Sequence, residues 1–417
     1  MVSQVPDLLE GQEASCPRCN HILIRAVKDC PNKVFAFGTA ALVVLVISCF
    51  FPFMAISVQG ISQQIALFDA LSVFHYFNDS SLATLLLSTI IVLPALYLLG
   101  LMALFVLAKT SSTYPGEHPL VKTLFRFVAR TEPWLLADIF FVGVLVSIIK
   151  LSSLTDVTVN SAFWAYLVFV LLLLKCSRAT DRHWLCQHLF TLVSTGGVQP
   201  GDTHLDGNHL VCHLCSQINP TGDHTPSRCQ RCHATLHPFD PVRSSNMATA
   251  VLIAAIIFYF PANLYFMMFT TSFGSTIGST IMDGIILLWH MGSHLVALVI
   301  LTASIILPIT KMLILIYLLW SQRNLAHEST KGALEKLKLY RFIEVIGRWS
   351  MIDVFVVALL TALVQFGNLM EITPGAAVFY FALVVIFTVV ATNLFDPRIL
   401  WQMSSYPQID RGHQASV

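Results

Sequence analysis

Eight apolar stretches, near 34–56, 82–108, 135–155, 162–178, 247–270, 293–320, 350–370 and 375–394, constrain this chain more than any motif does. A helix of about 20 apolar residues crosses the roughly 30 Å hydrocarbon core of a bilayer, and a backbone in hydrocarbon must satisfy its own amides. Apolar residues are 56% and charged residues 11% of the 417, a balance that a soluble domain of this size would not tolerate. The expected fold class is an all-α polytopic membrane protein. The first 33 residues are polar and show no cleavage pattern, so the first stretch is expected to remain as a span.

Charge placement sets the orientation. The connections 57–81, 156–161, 271–292 and 371–374 carry no Lys or Arg. Of the 24 basic residues, all but Lys150 and Lys311 lie in 1–33, 109–134, 179–246, 321–349 and the tail, or at the boundary positions Lys175 and Arg178. By the positive-inside rule, both termini and the long central loop face the cytoplasm. A formal net charge of +1 and the lack of a basic run give no footprint for nucleic acid.

The stretch Arg341, Phe342, Trp349, Asp353 repeats Arg126, Phe127, Trp134, Asp138 with identical internal spacing. At nearly the same offset, Asp181 falls on Asp396, Pro94 on Pro308 and Asp69 on Asp283. Self-similarity at this length reads as a tandem duplication. Four spans per copy keep both copies the same way up, as parallel rather than inverted repeats. The expected layout is a polar segment 1–33, a first four-helix module 34–185, a linker 186–246, a second module 247–400 and a tail 401–417.

Within the linker, Cys212-x-x-Cys215 and Cys229-x-x-Cys232 stand thirteen residues apart. Paired knuckles at this spacing suit tetrahedral Zn2+, which takes four thiolates at about 2.3 Å, and the expected element is a zinc ribbon at 209–235. Four protein ligands leave no open position, so the zinc is expected to be structural. Disulfides are the competing reading, disfavoured in a reducing cytoplasm. The neighbouring His209, His213, His224 and His233 read as ordinary loop residues. Cys16-Pro17-Arg18-Cys19 resembles the second knuckle, yet residues 1–15 offer no first one, so this ribbon is incomplete. Cys30 and His21 are the available further ligands; a decayed ribbon or a longer natural domain are the alternatives.

Together these features resemble a known family. Two modules each beginning with a cysteine knuckle, Phe51-Pro52-Phe53 and Phe260-Pro261-Ala262-Asn263, Ser304-Ile305-Ile306-Leu307-Pro308-Ile309-Thr310-Lys311, and Gly347-Arg348-Trp349-Ser350-Met351-Ile352-Asp353-Val354-Phe355 look like the paraquat-inducible protein A family. That family includes the A component of the lipophilic envelope-spanning tunnel system. The resemblance implies a Gram-negative inner-membrane protein working with a periplasmic MCE-domain partner, which forms a tunnel for lipid between two membranes.

Ionisable residues inside a membrane are costly and default to functional candidates. Lys311 lies about 9 residues, roughly 13 Å of helix, from the cytoplasmic end of its span. Asp353 opens the next span from the same side, and Ser304 and Thr310 share the helix of Lys311. A structural salt bridge between Lys311 and Asp353 and a polar pathway for a headgroup phosphate or a proton both fit. Tyr97 takes the place of Lys311 in the first module. Lys150 reads as snorkelling outward, and Asp138 as offsetting a helix dipole. Pro94 and Pro308 should kink their spans or free a carbonyl. Each of 57–81 and 271–292 reads as a short strand pair leading into an interfacial helix, with apolar surface for lipid or a partner.

No phosphate loop, nucleophile elbow or His-Glu-x-x-His helix occurs, and the expectation is not an enzyme. Three functions remain: passage of membrane phospholipid to or from an MCE tunnel, a stand-alone proton- or ion-coupled secondary transporter, or a structural anchor for a periplasmic complex.

Overall fold

The computed structural model describes residues 2–401 apart from 4, 7, 17–18, 21, 59–60, 67–86, 111–114, 153–155, 192, 194, 205, 222–225, 273–274, 293, 323–329, 350–355 and 357–369. They fall into two compact units, one up to Phe239 and one from Asp240 onward. The fold is mostly helical, and seven helices among the described residues are long and apolar enough to cross a membrane. The expected span at 350–370 lies outside the described residues except for Val356 and Met370.

In the first unit, α1 (Cys30–Phe50) packs directly along α5 (Ser161–Ala179), and in chain order α2 (Leu93–Thr110), α3 (Pro119–Thr131) and α4 (Ala137–Ser152) come between the two. Gly38 lets α1 approach closely: an added Cβ would stand 3.1 Å from Met102 Sδ. A short helix, α6 (Arg182–Leu189), follows α5 and is capped by Asp181, which accepts from the His183 and Trp184 amides. Trp184 stacks on Phe105 of α2 at 5.5 Å, and Phe190 meets Phe125 of α3 edge to face, which fastens α6 to the bundle.

The expected first span, 34–56, ends early. Pro52 disfavours helix at the residue before it, Phe51 is extended, and Pro52 instead opens a strand. That strand, β3 (Pro52–Val58), is central in an antiparallel sheet between β4 (Ile61–Ala66) and β5 (Asp156–Val159). Beneath it Phe53, Phe140, Phe163 and Tyr166 form one buried aromatic cluster.

The second unit follows the same element order. Helix α7 (Pro241–Leu264) pairs with α12 (Ala376–Leu394), and strand β8 (Met268–Ser272) lies between β9 (Ser275–Ser279) and β10 (Met370–Pro374). The expected span 247–270 is displaced: Asp240 caps α7 on the Arg243 amide, and the chain turns into strand soon after Leu264. A capping box of Thr280 and Asp283 starts α8 (Ile281–His290), which leads to α9 (His294–Leu301), α10 (Leu307–Ser321) and α11 (Thr330–Trp349). Within 57–81 and 271–292 the described residues form β4 and β9, but their partners β3 and β8 begin earlier, at Pro52 and Met268, inside the stretches expected as spans, and each pair gains a third strand that the sequence did not suggest. Ten short strands in four small antiparallel sheets among the described residues correct the all-α description. Each is three to seven residues long, too short to stand out from pattern alone where no cysteine knuckle or glycine-interrupted connection marks it.

One detail recurs around the prolines. A π turn at Ser88–Val92 precedes Leu93-Pro94, and another at Thr302–Ile306 precedes Leu307-Pro308. Proline supplies no amide and its ring crowds the preceding turn; widening that turn by one residue lets the helix pass without a break.

Candidate metal centre and buried lysine

Four cysteines meet in the first unit. Strand β6 (His209–Val211) delivers Cys212, and β7 (Ile218–Pro220) follows Cys215. The Ser216 amide donates to the Cys212 carbonyl at 2.9 Å, with Ser216 at φ +56°. The second knuckle copies this turn: the His233 amide donates to the Cys229 carbonyl at 3.0 Å, with His233 at φ +57°. Fully buried Asn219 ties the two together, accepting from the Gln230 amide at 2.9 Å and donating to the Leu210 carbonyl at 3.3 Å.

The four sulfurs all lie within 4.8 Å of one another, and Cys212–Cys232 and Cys215–Cys229 are each 3.6 Å apart. A tetrahedron with metal–sulfur bonds of about 2.3 Å has edges of about 3.8 Å, so the set fits such an ion and is far too open for disulfides. Hydrogen bonding with Cys215 pulls the Cys212 thiol down, and with Cys212 the Cys229 thiol; Cys215 and Cys232 move up as the proton-holding partners. A metal ion bound by this set would displace the protons that the four thiols share. Among the described residues no histidine joins the group. His209 instead bonds Asn208 at 2.6 Å, His233 is exposed, and His224 lies outside the described residues.

The guanidinium of Arg231, inside the second knuckle, is buried and donates to the Cys186 carbonyl at 2.7 Å, on the last turn of α6. A cation at a helix C-terminus is favoured by the exposed carbonyls and the dipole.

Cys16 and Cys19 sit between β1 (Glu13–Ser15) and β2 (Ile22–Arg25) in the same kind of turn. The Asn20 amide donates to the Cys16 carbonyl at 2.8 Å, with Asn20 at φ +53°. Cys30 is committed elsewhere: its thiol donates to the Ala179 carbonyl at 3.2 Å and accepts from the Asp181 amide at 3.3 Å. His21 lies outside the described residues.

Lys311 is 1% exposed. Its Nζ donates to Thr388 Oγ1 on α12 at 3.1 Å, and Thr388 donates in turn to the Val385 carbonyl at 2.9 Å. On α11, Gly347 makes room for the ammonium, since an added Cβ would stand 3.4 Å from Nζ. Ser304 is buried two turns earlier on the stripe of Pro308, Lys311 and Leu315, whereas Thr310 is half-buried and off that stripe. Asp353 lies outside the described residues, as does the side chain of Trp349. In the first unit, Tyr97 is fully buried, Asp138 is half-buried in the first turn of α4, and Trp134 is exposed. Thr388 was not singled out from sequence, and Gly347 entered only as the first residue of the Gly347–Phe355 run, with no role; threonines four apart on an apolar helix, Thr388 and Thr392, were the available signal for the first.

The family described as Paraquat-inducible protein A matches residues 32–189 and again 246–405. The chain belongs to the paraquat-inducible protein A family. The two matched stretches of this family member flank the cysteine tetrad, which falls between them. It is 35% identical over 403 residues to the intermembrane transport protein PqiA of Escherichia coli (strain K12), covering 96% of this chain and 93% of that protein. It is 26% identical over 422 residues to a probable intermembrane transport protein of Haemophilus influenzae, with 96% and 93% coverage. It is 25% identical over 405 residues to the lipophilic envelope-spanning tunnel protein A of Escherichia coli (strain K12), with 96% and 89% coverage. No solved structure matches. Seven apolar helices in a member of this family make a multi-pass membrane protein.

Proposed function

We propose that the chain is the inner-membrane component of an intermembrane lipid transport system, passing phospholipid to or from a periplasmic MCE-domain tunnel through a polar site in its second unit. The observation that carries this reading is Lys311, buried on the apolar helix α10, bonded to Thr388 of the apolar helix α12 and facing Gly347 of the amphipathic helix α11. An ammonium there costs several kcal/mol to desolvate, and a headgroup phosphate arriving between α10, α11 and α12 would repay that cost. Ser304 on the same stripe, Thr310 beside it and Asp353 from the next span complete the proposed site. The names of the relatives support transport between membranes.

The two units are two parallel copies of one four-helix module. The matching order of elements, the two π turns before Pro94 and Pro308 and the twofold match of the family support this. The tetrad of Cys212, Cys215, Cys229 and Cys232 holds structural Zn2+, which holds the loop together without taking part in chemistry; Cys16 and Cys19 form half of a similar site. The distribution of basic residues supports a cytoplasmic setting for both termini and the tetrad.

A second reading also starts from Lys311: a proton- or ion-coupled secondary transporter with Lys311 and Asp353 as the coupling pair. Crosslinking in cells, gentle purification and mass spectrometry separate the two. Recovery of a single-pass MCE-domain protein joined to 57–81 or 271–292 is expected; its absence from abundant, folded protein would favour the stand-alone transporter.

A further inference from the structure

Helix α3 has three faces, and only one is used by the fold. Val121, Phe125, Val128 and Ala129 are buried, and α2 receives them closely enough that a Cβ on Gly100 would stand 2.9 Å from Val128. Residues four apart share a face, so Lys122, Arg126 and Arg130 form a single basic stripe beside the buried one. Beyond the stripe lies an apolar edge: Leu120 is 72% exposed, Phe127 39%, and Trp134, in the turn that follows, 54%.

The stripe is held open. Arg126 braces itself against the helix, donating from Nε to the Lys122 carbonyl at 3.2 Å and from Nη2 to Thr123 Oγ1 at 3.0 Å. The nearby carboxylate of Glu132 is engaged by Arg182 rather than by the stripe. In chain order α3 stands between the apolar helices α2 and α4, and three basic side chains on one face suit the headgroup edge of a bilayer rather than its hydrocarbon core. A helix there, with cations along one edge and bulky apolar side chains along the next, matches an anionic lipid in both charge and polarity.

We propose that α3 is a binding site for anionic phospholipid, with Lys122, Arg126 and Arg130 on the headgroup phosphate and Leu120, Phe127 and Trp134 against the acyl chains. The inference rests on the membrane setting alone and stands whatever the chain transports. The source is the bilayer, not phosphate in solution, because an apolar edge serves only a ligand with acyl chains.

The test uses the full chain in neutral detergent, titrated with phosphatidylglycerol or phosphatidylcholine and read by native mass spectrometry. A basic side chain near an anionic surface is worth roughly fivefold in binding, so K122Q/R126Q/R130Q should lose at least about tenfold for phosphatidylglycerol and little for phosphatidylcholine. L120S/F127S should weaken phosphatidylglycerol binding as well. Should the triple variant fail to fold, K122Q/R130Q gives the same reading without disturbing the brace of Arg126. Unchanged phosphatidylglycerol affinity in folded variants, equal losses for both lipids, or full displacement by millimolar inorganic phosphate would each overturn the proposal.

Discussion

At the scale of single residues, the second unit bonds its most expensive side chain, Lys311, to a neutral hydroxyl among the described residues. Removing that ammonium relieves a desolvation cost and, among those residues, leaves no opposite charge unpaired. Lys311→Met should therefore leave the melting temperature unchanged or raised while lipid transfer falls at least tenfold; an anchor without transport would show the first effect and no loss of work. Thr388→Val removes the bond to Nζ and should cost about 1–3 kcal/mol. If that cost comes from the stranded ammonium, adding Lys311→Met should abolish it in a double-mutant cycle. Lys311 was legible in the sequence because a lysine deep in an apolar run has few ordinary explanations. The roles of Thr388 and Gly347 were not, because their relation to Lys311 depends on how three helices are registered against one another.

At the scale of elements, the tetrad is also a fastener. The CxxC spacing made the four ligands readable, since each knuckle fixes its own geometry over a handful of residues. The docking of Arg231 on α6 left no such trace. Cys186, beside that contact, is buried, and burial pushes its thiol up to about 12, so maleimide at neutral pH should leave it unmodified. Cys212→Ser should lower bound zinc, measured by elemental analysis, and make Cys186 label as Arg231 loosens. Metal ligands must be deprotonated, so protons compete with zinc: affinity should fall as pH falls, and chelation at pH 6 should proceed further than at pH 8. The strands β5 and β10 were illegible for another reason. Their partners lie about a hundred residues earlier in the chain, and a four- or five-residue stretch between two helices reads as a plain connection.

Taken as a whole molecule, the chain offers an orientation that can be checked directly. Gln64 is exposed on β4 and Pro200 in the loop before the tetrad. With the basic loops inside, Gln64→Cys should react with an impermeant maleimide once the outer membrane is opened, and Pro200→Cys only after the inner membrane is broken; the reverse pattern would invert the topology. The apolar spans made the membrane class plain from sequence, and their ends shifted where prolines and caps intervened. What the sequence kept hidden is how those ends are tied. Strand β3 runs directly from α1, while β5 bridges the space between α4 and α5, and the two are hydrogen-bonded to each other. Three membrane helices thus share a hem on one side of the bilayer. The hem lets them tilt together and resists the peeling of any one of them at that end, so a motion in the wall of this unit has to carry all three ends with it.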